Sequence, residues 1–376
     1  MYPAFLRSVG MFERDRGSAA TSYASSLESL HKLRFGTSDV YSEHFKAIGW
    51  DACEIIANSS FLQAKWAEEE NRKFVTLPSV LSPALIARLP LLRSMNHFLP
   101  TIQATLVKQI ETLKPDVVYF QDLNLADPSL MRRIRRHTGL IAGQIASPLP
   151  PARFISSYDV IFSSLPNLQG KIRGFGVKSE HLPIAFDSRL LDEVKFAERR
   201  IPVSFVGGIS RQHSSTIPML QAAREANEGL QIFGYGEADL KDFPELASRH
   251  KGERWGRQMY EVLAQSEVTL NRHIDVAEHF ANNMRLYEAT GMGSLLITDK
   301  KVNLHEIFEV GVEVLAYSSL KELKDHIVWA RENPQAAREI AQRGQNRTVQ
   351  DHSYRQCIET LSEKLEFHLA ARGRAN

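Results

Sequence analysis

The sequence predicts an α/β protein made of two Rossmann-like domains that face a central cleft, with C-terminal helices packing back across the domains. Three observations predict it. Short apolar runs recur along all 376 residues, helical patterns separate them, and each run is too apolar to leave one face in water, as in parallel sheets covered by helices on both sides. In the first half the strand candidates are ACEIIAN (52–58), DVVYFQD (116–122), LIAGQIAS (140–147) and DVIFSS (159–164), with helices expected over 96–113 and 127–139. The second half repeats the scheme with VSFVGG (203–208), LQIFGYG (230–236), VTLN (268–271), SLLITD (294–299) and VEVLAY (312–317). Between the halves, SRLLDEVKFAERRIP (188–202) is charged and ends in a proline just ahead of a new strand, so it reads as a linker. Domains of 1–190 and 191–376 follow. The stretch 320–372 reads as helices, one of them opened by Pro334.

Charge and cysteine content narrow the function. With 46 Lys and Arg against 44 Asp and Glu, the formal charge of +2 exerts no long-range pull on nucleic acid. No Cys/His finger or basic arm supplies one locally, so no nucleic-acid partner is expected. Cys53 and Cys357 are too far apart for a Cys-x-x-Cys pair and suit a reducing compartment. No run approaches the roughly 18 apolar residues of a spanning helix, and the charged cluster at Glu13 to Arg16 interrupts any leader peptide. A cytoplasmic protein with at most peripheral membrane contact is expected. The most apolar stretch, LSPALIARLPLL (81–92), is broken by Pro83, Arg88 and Pro90 and reads as a buried or cleft-lining helix, with a membrane-surface foot as the alternative.

In open parallel sheets, ligands bind beyond the carboxyl ends of the strands. Those positions hold Gly207-Gly208 followed by Arg211 and His213, then Gly234-Tyr235-Gly236, Asn271-Arg272-His273 and Thr298-Asp299. Glycine turns with arginines nearby suit a phosphate, since glycine permits close approach and amides at a helix start point at the oxygens. Tight strand-to-helix turns are the alternative. Neither the Gly-x-Gly-x-x-Gly fingerprint nor a P-loop occurs after a strand, which removes support for NAD enzymes and P-loop NTPases.

The densest cluster is HFANNMRLYEATGMGSLLITD (279–299). A helix beginning near Asn283 puts Arg285 and Glu288 three apart on one face, and Gly291 is expected to end it with a left-handed cap. An arginine for phosphates and a carboxylate for ribose hydroxyls would match a nucleoside diphosphate, whereas a surface salt bridge at helical spacing is the other reading. In the first half, Gln121, Asp122 and Gln144 end strands and could face the cleft, with capping of the next loop as the alternative for Asp122. His97, His181 and His352 read as structural. No Asp-x-Asp pair follows a strand, so no metal site is expected.

The stretch LNRHIDVAEHFANNMRLYEATGMGSLLITD (270–299) resembles the C-terminal domain of bacterial glycosyltransferases of the group 1 and spore-protein CgeB-like type, which have the two-domain GT-B fold. FVGGISRQHSSTIPML (205–220) and GQNRTVQDHSYRQCIETL (344–361) extend the resemblance, and VYFQDLN, GQIASPLP and HLPIAFD carry it loosely into the first half. It implies transfer of a sugar from a nucleotide-sugar co-substrate, with no further cofactor, to a glycan, lipid-linked or protein acceptor. It also implies retention of configuration. By the same resemblance Glu288 holds the donor ribose, Gly207, Gly208 and Arg285 face the diphosphate with Arg211, and Gly234, Tyr235 and Gly236 lie by the base. Asn271 and Asn283 complete the donor set. Gln121, Asp122 and Gln144 fall on the acceptor side.

Two departures are visible. Relatives often carry another Glu eight residues before the ribose-binding one; that place is Phe280 here, and Glu278 or His273 is expected to substitute. Relatives also carry an apolar strand ahead of a Tyr-Pro pair like Tyr2-Pro3, so the first sheet is expected to lack a strand or the chain to begin late. An inverting reaction would need a protein base, for which Asp122 and His273 are the candidates. The rival readings are a nucleotide-sugar epimerase and a non-catalytic nucleotide-sugar binder, the latter favoured by Phe280.

Overall fold

A computed structural model describes residues 5, 22–72, 74, 100–194, 198–209 and 216–373. Arg211, His213, His97, Tyr2-Pro3 and the apolar stretch 81–92 lie outside the described residues. The chain divides into two compact units. One gathers Met1–Ser163, Leu168–His181 and Thr360–Asn376, the other Ser164–Asn167 and Leu182–Glu359. The last helix, Tyr354–Gly373, therefore gives its later turns to the first unit, whereas the domain limits read from the sequence keep all of it in the second.

The first unit holds a four-stranded parallel sheet of β1 (Val117–Phe120), β2 (Leu140–Gln144), β3 (Val160–Ser163) and β4 (Lys178–His181), in that spatial order. Apolar residues bury β2 and β3 almost completely, while three of the four residues of β1 are only half-buried. Local chemistry sets the helices between them. Asp127 accepts hydrogen bonds from the amides of Ser129 and Leu130, both at 2.8 Å, and Pro128 fills the first position of the Pro128–Ile134 helix. The terminal helix is tied to the same unit by Lys364 Nζ on Glu180 at 2.8 Å and by Trp50 Nε1 on Ser362 Oγ at 2.8 Å.

Two expectations fail in this unit. ACEIIAN (52–58) forms no strand; residues 51–56 take no regular secondary structure and join no ladder among the described residues. Conversely, β4 is a strand that apolar periodicity misses, because its KSEH sequence buries only Ser179.

The second unit contains all five expected strands, β5 (Ile201–Val206), β6 (Leu230–Phe233), β7 (Ser266–Asn271), β8 (Leu295–Asp299) and β9 (Leu315–Tyr317), parallel throughout in the order β6-β5-β7-β8-β9. Side chains that alternate along the strands feed two cores. On one face, Val203, Leu270 and Ile297 pack with Leu220 and Ala223 of the Thr216–Ala226 helix and Leu323 and Ile327 of the Leu320–Glu332 helix. On the other, Val206 and Leu296 pack with Leu263 of the Arg257–Gln265 helix and Leu286 of the Met284–Gly291 helix. Each such buried Val, Leu or Ile side chain contributes about 1.5–3 kcal/mol, so this two-sided burial is what holds the helices to the sheet.

The cap of the Met284–Gly291 helix differs from expectation. Gly291 is its last residue, and Gly293 is the glycine that adopts a left-handed conformation, with φ +73. Gly291 is required by packing instead, since a Cβ there would lie 2.6 Å from the ring of Phe186. No helix among the described residues is long and apolar enough to cross a membrane.

Candidate active site

In the second unit the chain leaves β5 for β6 on one side and then returns to place β7 on the other. That reversal opens a crevice beyond the carboxyl ends of β5 and β7, where open parallel sheets take ligands. Gly207 and Gly208 follow β5, Asn271 ends β7, and the start of the Met284–Gly291 helix is pinned to both strands.

The pinning is a chain of hydrogen bonds. Asn283 caps the helix, its Oδ1 accepting from the Leu286 amide at 3.2 Å, while its Nδ2 donates to Asn271 Oδ1 at 3.0 Å and to the Arg272 carbonyl at 3.3 Å. Asn271 Nδ2 in turn donates to Thr298 Oγ1 at 2.9 Å, fixing it to β8. Two residues past the cap, Arg285 Nε donates to the carbonyl of Val206, the last residue of β5, at 3.1 Å. Its Nη1 lies 2.7 Å from Glu288 Oε2, and Tyr260 OH donates to Glu288 Oε1 at 3.3 Å.

This pair is not a surface salt bridge. The side chains of Arg285 and Glu288 are 15% and 7% exposed. Burial pushes the Tyr260 hydroxyl well above its ordinary pKa, with the Glu288 charge adding to it, so Tyr260 stays a hydrogen-bond donor. A fixed carboxylate backed by a guanidinium beside a glycine turn can accept hydroxyl hydrogens and place positive charge near an anion.

The glycine turns have a packing cause as well. Gly207 N donates to the Phe233 carbonyl and Ile209 N to the Tyr235 carbonyl, both at 2.9 Å, so the loops after β5 and β6 lie one upon the other. A Cβ on Gly234, whose φ is +136, would sit 2.0 Å from the Gly207 oxygen, and one on Gly236, with φ +100, would sit 1.8 Å from the Ile209 oxygen. At Gly208 a Cβ would run into the Tyr235 ring at 2.1 Å. Loop-on-loop contact thus requires three of the four glycines. Tyr235 lies parallel to Trp255 with ring centres 6.3 Å apart, presenting aromatic faces beside this turn.

His273 lies wholly inside the protein. Asp299 Oδ1 accepts from both its backbone amide, at 2.9 Å, and its Nδ1, at 2.7 Å, while Nε2 is buried with no hydrogen-bond partner among the described residues. Burial raises the Asp299 pKa, but the His273 hydrogen bonds and the Lys301 ammonium outweigh it and leave the carboxyl below its usual range. Glu278 is exposed and has φ +51 and ψ −113, a conformation that strains any residue but glycine; Lys301 Nζ donates to its carbonyl at 2.8 Å.

The structure therefore gathers Gly207, Gly208, Asn271, His273, Asn283, Arg285 and Glu288 on one edge of the second sheet, with Gly234, Tyr235 and Gly236 alongside. Gln121, Asp122 and Gln144 belong to the other unit, and each has local work. Gln144 Oε1 accepts from Tyr41 OH at 2.6 Å and Tyr119 OH at 2.8 Å, Asp122 Oδ1 accepts from the Asn124 amide at 2.9 Å, and Gln121 Oε1 accepts from Thr37. Sequence reasoning named Asp299 only as a strand-end residue, not as the partner of His273, and passed over Tyr260. Asp299 had a signal, as the residue ending SLLITD; Tyr260 had none, being 28 positions from Glu288. Among the described residues no group of three or more His, Cys, Asp or Glu could hold a metal ion.

A family model described as "Glycosyl transferase-like" matches residues 211–363, a span that includes β7, the Met284–Gly291 helix and Asp299. No curated protein matches the sequence. Among solved structures, HepE of Anabaena in complex with UDP and glucose aligns over 70% of this chain and 81% of its own, with 14% identity and a TM-score of 0.53. A glycosyltransferase from Rickettsia africae aligns over 84% of this chain and 93% of its own, with 10% identity and a TM-score of 0.53. Sucrose-phosphate synthase from Thermosynechococcus elongatus covers 73% and 81%, with 13% identity and a TM-score of 0.51. The fold is that of GT-B glycosyltransferases, and the family-model match falls almost wholly in the second unit.

Proposed function

We propose that this protein transfers a sugar from a nucleotide-sugar donor to an acceptor, with retention of configuration and without a metal ion. The observation that carries the reading is the buried Arg285–Glu288 pair, pinned by the Val206 carbonyl and Tyr260 at the point where the second sheet reverses its strand order. Glu288 accepts the ribose hydroxyls, the Gly208 amide and the Arg285 charge stand by the diphosphate, and Tyr235 and Trp255 offer the base a face. The bond from the anomeric carbon to the diphosphate oxygen breaks as an acceptor hydroxyl adds, and the leaving phosphate takes the acceptor proton. Gln121, Asp122 and Gln144 are the candidate acceptor residues, and a glycan, lipid-linked or protein acceptor suits them. That UDP accompanies a neighbour of the same fold supports a nucleoside diphosphate at this site.

One observation favours a second reading, a nucleotide-sugar binder without turnover: Phe280 stands where the resembled family often has a carboxylate. Labelled nucleotide-sugars incubated with the protein, with and without EDTA, separate the two. Slow release of nucleoside diphosphate that survives chelation is expected. Binding without any release supports the binder, and loss on chelation restored by magnesium or manganese overturns metal independence.

A further inference from the structure

We propose that the second unit holds a further small-molecule site, for an organic phosphate with a small apolar body, at the end of its sheet opposite the glycine turns. A cavity of about 460 Å³ opens there, within the size range of small-ligand pockets. Its walls are the first residues of β5 and β7, Gly293 ahead of β8, the close of the Leu320–Glu332 helix and the opening turns of the Pro334–Asp351 helix. Gly207, Gly208 and Asn271 stand at the other ends of the same strands, so the two sites share no residue. The inference does not rest on the donor-site reading.

The charges of the lining favour an anion. Arg199, Arg331 and Arg338 stand there against Glu198 and Glu267. Glu267 faces Arg199, and Glu198 lies 4.0 Å from Arg200. Arg199 donates through Nη1 to the carbonyls of Ser266 at 2.6 Å and Ala264 at 3.1 Å, and through Nη2 to that of Met292 at 3.3 Å. Three of its five N–H groups are thereby used, and the remaining two make no hydrogen bond among the described residues. Burial lowers the Arg199 pKa, with the Glu267 charge opposing, so this guanidinium is partly stripped of water and gains from an anion. Arg338 makes no ion pair or hydrogen bond among the described residues. Arg331 reaches the Ala226 carbonyl at 3.4 Å and the exposed Glu332 carboxylate at 3.7 Å, a pair worth little. Guanidinium groups with spare N–H donors, and no lysine beside them in the lining, match the paired oxygens of a phosphate.

A bare inorganic ion would leave the rest of the cavity unmatched. Val203, Val268, Ile327 and Ala337 supply an apolar floor, on which a ring or short chain attached to the phosphate loses its contact with water. Arg199 also ties this cavity to the opposite end of the sheet. Ala264 belongs to the helix that carries Tyr260, Ser266 starts the strand that ends at Asn271, and Met292 follows the helix that carries Arg285 and Glu288. Gly293 leaves room for the guanidinium, since a Cβ there would lie 2.8 Å from Arg199 Nη2. A phosphate on Arg199 therefore bears on the supports of Tyr260, Asn271 and Glu288 without touching those residues.

The test titrates phenyl phosphate, inorganic phosphate and phenol into the full chain by calorimetry, and repeats the first with Arg338→Ala and Arg338→Lys. Phenyl phosphate should bind, inorganic phosphate at least ~10-fold more weakly and phenol without measurable heat. Arg338 is exposed, so its loss spares the fold; Arg338→Ala should weaken phenyl phosphate by ~10-fold and Arg338→Lys by less. Hydrogen exchange with phenyl phosphate present should slow at amides 199–203 and 335–338 and stay unchanged at 207–209 and 283–286. Absence of binding, phenol binding as well as phenyl phosphate, or full affinity in Arg338→Ala overturns the proposal. So does protection confined to 207–209 and 283–286, since the phosphate would then sit beside the glycine turns.

Discussion

If Glu288 and Arg285 serve the donor as proposed, they should respond differently to substitution, because one would touch the donor while the other both holds its partner and would face developing charge. A carboxylate on ribose binds donor and transition state about equally, so Glu288→Gln should chiefly raise the donor KM. Arg285→Ala should lower kcat by ~100-fold, on the scale of a lost oxyanion donor. It should also cost about 3–5 kcal/mol of stability, as it strands a buried carboxylate. Steady-state kinetics and urea unfolding on both variants check this. Stability losses with unchanged kinetics would reduce the pair to a structural one. The spacing of Arg285 and Glu288 was legible in the sequence, but their burial was not, because Val206 and Tyr260 come from other elements.

Among the elements, the turns give a sharp test of cause. Gly236→Ala forces a side chain into the Ile209 carbonyl in a left-handed conformation, so it should destabilise by roughly 2 kcal/mol or more, readable by chemical unfolding without any ligand. A fully stable variant would free Gly236 for a ligand role alone. Strand reading succeeded wherever apolar runs were buried on both faces, as in β2, β3 and all of β5 to β9. It failed at 52–58, which pairs with no strand among the described residues, and at β4 because an edge strand tolerates polar residues.

The segment 52–58 carries a pH signature of its own. Burial lifts the Glu54 carboxyl from 4.5 to about 7, with the Ser42 amide opposing the shift. The folded form then holds the proton more tightly than the unfolded one. Its contribution is complete below pH 4.5 and fades as pH rises through about 7, amounting to at most about 3 kcal/mol. Glu54→Gln should flatten the fall in stability between pH 4.5 and 7, measured by unfolding at several pH values; an unchanged slope would place the titration elsewhere.

At the scale of the whole molecule, alternating apolar runs made the α/β class and the two sheets legible. The course of the last helix was not legible. It belongs to the first unit after Thr360 through pairs such as Lys364 with Glu180, which lie 184 residues apart. What the sequence leaves open above all is the donor. The most direct test is the unfolding stability of the protein and of Glu288→Gln against UDP, GDP, TDP and ADP. At roughly 100 times its dissociation constant, one of these should stabilise the wild-type protein by about 2.7 kcal/mol and the variant much less. If none stabilises the wild type, or if the variant gains as much, the donor site is not where Glu288 stands.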